Sequence, residues 1–156
     1  MRRKSYRVLA LAAASGKVGY VFLIGGEPQD WGLSVKASQS PENAEVYAAK
    51  LIKQYQPDCV ITEQITKYLR KSPENIALIR SFGKAMTTQL YVEVERIQEY
   101  ANKYDEMAAL AEQFPQLAPW AVAKRKIWIA EHRNTIIFEA LSMAVQLGQP
   151  PKNLPI

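Results

Sequence analysis

The sequence predicts a mixed α/β domain, and three observations carry that prediction. The first forty residues hold three strand-like apolar segments separated by short turns. Two Ser-Pro-Glu helix starts follow, Ser40-Pro41-Glu42 and Ser72-Pro73-Glu74, each leading through a helix into a further strand. A long, largely apolar helical segment then closes the chain. The resulting order, βββαβαβα, describes a mixed five-stranded sheet with helices on both faces.

The elements are justified in order. Tyr6–Ala12 reads as a strand through Val8, Leu9 and Leu11, and Ala13–Lys17 as a small turn. Val18–Gly25 is a second apolar strand, Gly25-Gly26-Glu27-Pro28 a tight hairpin connection, and Asp30–Ala37 a third strand with partial alternation. Ser40 is a helix cap, Pro41 suits the first turn, and Glu42 complements the positive helix end. Ala44, Tyr47, Ala48, Leu51, Ile52 and Tyr55 recur at helical spacing until Gln56-Pro57-Asp58. Cys59–Thr62 is a short buried run of the kind found in central parallel strands, and it ends in Glu63-Gln64. Ser72-Pro73-Glu74 begins a helix expected to reach about Thr88. Leu90–Glu95 alternates as a strand. Gln98–Phe114 reads as two short helices broken near Lys103-Tyr104, Phe114–Pro119 as a turn, and Glu131–Leu147 as the last helix. Residues 1–147 form one domain, and residues 148–156 an extended tail.

Composition bounds the function. The chain has 156 residues and a 48% hydrophobic fraction, enough for one real core and too little length for two comfortable domains. Lys and Arg number 20 against 15 Asp and Glu, a net charge of +5 that favours polyanionic partners such as nucleic acid. One cysteine, Cys59, excludes an internal disulfide and a multi-cysteine zinc site. No apolar run reaches the roughly 18 residues of a membrane span. The opening MRRKSYRVLALAAASG has the basic, apolar, small order of a secretion signal, but RVLALA leads through a turn into a second strand and is assigned as a strand. The expected address is cytoplasmic.

Two carboxylates stand out. Glu63 ends a central strand, where α/β sheets place ligand crevices; the other reading is a solvated strand-end glutamate. Glu139 lies inside IIFEALSMA and shares a helix side with His132; a metal ion would partner it if it is buried, and solvent if it is not. Two basic-aromatic clusters follow the same double reading, as phosphate contacts or as solvated surface: Lys67, Tyr68, Arg70 and Lys71 after Glu63, and Lys124, Arg125 and Lys126 between Trp120 and Trp128. Glu93 and Glu95 share a strand face best explained as a solvent-facing edge.

Three segments in order resemble the RuvC-type Holliday junction resolvases, members of the RNase H-like nucleases. RVLALAAASGKVGYVFLI resembles the family's opening strand, turn and Gly-Tyr-containing second strand; ITEQI resembles its fourth strand; EALSMAV resembles its final helix. The resemblance implies an endonuclease for branched DNA that uses Mg²⁺, or Mn²⁺, held by carboxylates, and acts as a homodimer on a two-fold-symmetric junction. It places Glu63 and Glu139 at two metal-binding catalytic positions. It also places Ala12 where the first metal-binding Asp stands, and Ile136 where a further carboxylate stands. His132 or Glu131 would have to substitute. The expected consequence is weak metal binding and severely reduced cleavage. Three explanations of Ala12 stand open: a degenerate nuclease or binding module, an introduced Asp→Ala, or a site rebuilt with Glu131, His132 or Glu27. The competing class is a non-catalytic nucleic-acid-binding or assembly protein on the same fold.

Overall fold

The computed structural model describes residues 6–96, 102–121 and 134–148. Five strands form one sheet, β1 (Arg7–Ala14), β2 (Lys17–Ile24), β3 (Glu27–Ser34), β4 (Cys59–Glu63) and β5 (Leu90–Val94), in the spatial order β3-β2-β1-β4-β5. β1 to β3 form an antiparallel meander, while β4 joins β1 and β5 joins β4 in parallel. Among the described residues four α-helices accompany them: α1 (Pro41–Tyr55), α2 (Pro73–Lys84), α3 (Lys103–Gln113) and α4 (Thr135–Gly148).

Turn chemistry sets the meander. Ser15 and Gly16 have φ of 52° and 72°, and Gly25 and Gly26 have φ of 59° and 83°. Two successive residues at positive φ make the tight hairpin turns that match strand twist. Pairing therefore resumes at once on both sides. β1 runs on to Ala14, into the expected turn, and β3 occupies Glu27–Ser34 rather than Asp30–Ala37. Pro28 is tolerated because β3 is an edge strand. Lys36–Ser38, part of it assigned to the strand, is a 3-10 turn instead.

Both Ser-Pro-Glu starts are caps, with Ser40 Oγ accepting from Asn43 N and Ser72 Oγ from Asn75 N. The Arg7 side chain donates to the carbonyls of Tyr55 and Gln56 and so closes the far end of α1. α2 stops at Lys84, short of Thr88, and Gln89 Oε1 accepts from Thr87 N in the turn that follows. The break expected near Lys103-Tyr104 is the start of α3, where Asn102 Oδ1 accepts from Tyr104 N and Asp105 N. The first of the two short helices expected over Gln98–Phe114 falls largely on residues outside those described. Pro115–Trp120 is a 3-10 helix, and the Trp120 ring meets Trp31 edge-on at 5.1 Å over β3. α4 includes Gly148; its expected beginning at Glu131, and the tail from residue 149, lie outside the described residues.

The strand period of two sorts the core into two layers. Ala10 and Ala12 on β1, with Cys59 and Ile61 on β4, face α3 and α4. Leu9, Leu11 and Ala13, with Val60, face α1 and α2. α4 is apolar almost all round, as a helix enclosed by protein must be. On the other side Tyr55 donates to Asp30 and lies 3.1 Å from the Tyr20 hydroxyl, tying α1 to β2 and β3. Burial pushes the phenol pKa of Tyr20, Tyr47, Tyr55 and Tyr91 upward, and the Asp30 carboxylate adds to the shift at the first three. No helix among the described residues is long and apolar enough to cross a membrane.

Candidate functional site

The parallel pairing of β1 with β4 builds the crevice. Ala10 sits opposite Ile61, and two residues further along each strand come Ala12 and Glu63, on the same face as their predecessors. α4 crosses that face and brings Glu139 to it. Glu63 is only 6% exposed, so the solvated strand-end reading is wrong: its strand runs under α4 and carries the carboxylate into protein.

A third residue occupies the space between the two carboxylates. Lys71 Nζ donates to Glu139 Oε2 and to the main-chain oxygen of Ala13, each at 2.7 Å. It lies 3.0 Å from Glu63 Oε1. The angle at that last contact gives charge attraction without a hydrogen bond, and Glu63 Oε1 is buried with no hydrogen-bond donor among the described residues. Lys71 was assigned to the exposed basic cluster. The structure takes it out, because the chain must turn inward at residue 71 to present Ser72 as the cap of α2, and the ammonium then finds two carboxylates.

Two further residues continue the network. Arg96 pairs with Glu106, donates from Nε to Ser142 Oγ at 2.9 Å, and lies 3.8 Å from Glu139 Oε1. Both were missed from the sequence, yet both carry a signal. Val92 and Val94 pack against the α4 layer, so Arg96 continues that face beyond the strand end. Glu106 precedes Leu110 by one helical turn and therefore lies on the buried face of α3. A cavity of about 170 Å³ opens beside the network, lined by Arg96, Lys103, Glu106, Met107, Thr135, Phe138 and Glu139.

The positions that would have to supply further metal ligands are apolar. Ala12 is 2% exposed and Ile136 is 3% exposed, and they belong to one buried cluster. Ile136 presses on β2 at Gly19, the residue opposite Ala12, where an added Cβ would lie 2.7 Å from Ile136 Cγ2. Glu27 is no substitute: it lies at the β2–β3 turn, next to Ile24, which pairs with Arg7 at the opposite end of β1 from Ala12. Glu131 and His132 lie outside the described residues. Among the described residues no group of three or more His, Cys, Asp or Glu could hold a metal ion. Two carboxylates closed around an ammonium do not fit a divalent ion as they stand.

The other three residues of the first basic cluster do face solvent. A turn closed by Leu69 N donating to Thr66 O carries Lys67 and Tyr68 at its tip. Tyr68 is 76% exposed, with Lys67 Nζ 5.1 Å from its ring centre, and Arg70 is also exposed. Lys124, Arg125, Lys126 and Trp128 lie outside the described residues. Glu93, opposite Thr62 on the edge strand β5, and Glu95 beyond it are both exposed, consistent with a solvent-facing edge.

No protein-family model matches the chain, and no curated protein matches its sequence significantly. Solved structures do match. The chain is similar to the Thermus thermophilus RuvC structure, with TM-score 0.56 and 9% identity over 89% of this chain and 91% of that one. It is similar to the fowlpox virus Holliday junction resolvase, with TM-score 0.54 and 16% identity over 90% and 97% of the two chains. The same viral resolvase in complex with Holliday junction DNA matches at TM-score 0.54 and 14% identity, over 92% of this chain and 99% of that one. The chain has the fold of the RuvC-type resolvases, as the resemblance of its three segments implied.

Proposed function

We propose that the chain binds branched DNA on a resolvase fold without cleaving it through a metal centre. The observation that carries this reading is the Lys71 ammonium between Glu63 and Glu139. A single introduced Asp→Ala would leave the rest of a metal centre intact. Here Ala12 and Ile136 both stand where the resemblance expects carboxylates, and Lys71 lies between the two that remain, which favours a scaffold that has lost its metal chemistry as a unit. Binding is supported by the net charge of +5 and by the exposed turn of Lys67, Tyr68 and Arg70, with two cations for phosphates and one aromatic face for an unstacked base. The two-fold symmetry of a four-way junction calls for two copies of the chain.

The test uses a labelled immobile four-way junction and a linear duplex of the same sequence. The expected result is salt-sensitive binding that favours the junction, with no cleavage in Mg²⁺ or Mn²⁺. Lys67→Ala and Arg70→Ala should each reduce the slope of log K against log salt by about 0.9, and Tyr68→Ala should weaken binding by roughly 1–3 kcal/mol. Absence of junction binding sinks the binding reading. Cleavage in Mn²⁺ sinks the non-catalytic one.

A further inference from the structure

We infer that the Lys71 ammonium is a resident counter-ion, a covalently tethered replacement for a free cation, and that its removal opens a divalent-cation site. This rests on the non-catalytic reading of the crevice and is independent of whether the chain binds DNA.

An ammonium has three protons and accepts nothing. Three oxygens meet this one: Ala13 O and Glu139 Oε2 at 2.7 Å, and Glu63 Oε1 at 3.0 Å. One carbonyl and two carboxylates form a hard-oxygen set, the donor type that suits Mn²⁺ or Ca²⁺. The three oxygens come from separate elements, the ends of β1 and β4 and the middle of α4, and the core fixes each of those elements without help from Lys71. The cage therefore exists before the lysine enters it. Glu63 Oε1 points the same way, being buried without a hydrogen-bond donor among the described residues, with the Lys71 ammonium 3.0 Å away. What keeps a divalent ion out is the +1 charge already inside.

The experiment compares the full-length chain with Lys71→Ala, each with EDTA or with MnCl₂, by thermal unfolding and by electron paramagnetic resonance of free Mn²⁺. The wild-type midpoint should not respond to Mn²⁺. Lys71→Ala should melt lower in EDTA and rise by roughly 5–10 °C when Mn²⁺ reaches about a hundred times its Kd. Adding Glu63→Gln should abolish that response and recover part of the midpoint without metal. If Lys71→Ala fails to fold, Lys71→Gln, which keeps a donor and removes the charge, should still take up Mn²⁺ by resonance. The inference is overturned if neither variant binds Mn²⁺ more tightly than wild type, or if Lys71→Ala in EDTA melts as wild type does. Junction affinity measured in EDTA reads the proposed function separately, so failure of either idea leaves the other measurable.

Discussion

Replacing Gly19 by alanine tests how the crevice is sealed. The new Cβ would lie 2.7 Å from Cγ2, 3.0 Å from Cγ1 and 3.1 Å from the carbonyl carbon of Ile136. The first two atoms belong to a side chain that can rotate, but the third is backbone, so α4 itself must move. Overpacking of this kind costs about 1–3 kcal/mol. Gly19 is not among the positive-φ glycines, so alanine can adopt its backbone and recovers about 0.4–1 kcal/mol by restricting the unfolded chain. The net loss is roughly 1–2 kcal/mol, or about 2–8 °C in Tm for a domain of this size. Glu139 is one turn further along α4, so the same displacement should loosen its 2.7 Å contact with Lys71. Urea and thermal unfolding of Gly19→Ala, Ile136→Ala and the double variant measure the coupling. Ile136→Ala alone should cost about 2–5 kcal/mol through the cavity it leaves, and the methyl at position 19 should offset about 1 kcal/mol of that in the double variant. A Gly19→Ala midpoint equal to wild type, or strictly additive costs, would refute the claim that α4 is pressed onto β2 at this point.

Two further outcomes follow from the same structure. Arg96→Met takes a cation from beside Glu106 and Glu139 and should cost about 3 kcal/mol, with much of it recovered by adding Glu106→Gln, because a half-removed buried pair costs more than the pair contributes; a loss below about 0.5 kcal/mol in denaturant unfolding would mean that solvent replaces the arginine. Tyr20, Tyr47, Tyr55 and Tyr91 have folded-state pKa values raised first by burial, so the stability they contribute is complete below the unfolded phenol value of about 10 and is lost as pH rises above it. The phenolate absorbance of these four tyrosines should therefore appear together with loss of the fold, and their titration within an intact fold would contradict the burial.

The fold was legible because local signals agreed with tertiary ones. Ser40 and Ser72 cap the helices they announce, Cys59–Glu63 is buried along its whole length, and the apolar run after Ile136 encloses α4. Strand boundaries were less legible, because Ser15-Gly16 alone makes a turn that the alanines before it disguise. The crevice was legible only in part. Glu63 could be placed by its strand end, but the sign of its partner could not, since Lys71 stands in a run of cations whose other members face water. Which of three basic residues turns inward depends on the path from Glu63 to the cap at Ser72, and that path is a property of the folded chain. Arg96 and Glu106 were readable in principle by extending the period of a strand past its end and of a helix to its first turn.

The burial of α4 also has a consequence for how the chain is made. Ala10, Ala12, Val21, Leu23, Cys59 and Ile61 present one side of the sheet to that helix, and α3 covers only part of it. During synthesis the other side can close as soon as α1 and α2 have emerged, since all its buried residues lie before residue 85. The α4 side stays incompletely covered until residues 135–148 leave the ribosome. For that interval the nascent chain carries a half-covered sheet with an apolar surface and two open edges, the state most prone to capture by another chain or by a chaperone. Docking of the last helix then ends the exposure and assembles the charged network in one event, because Glu139 arrives with it.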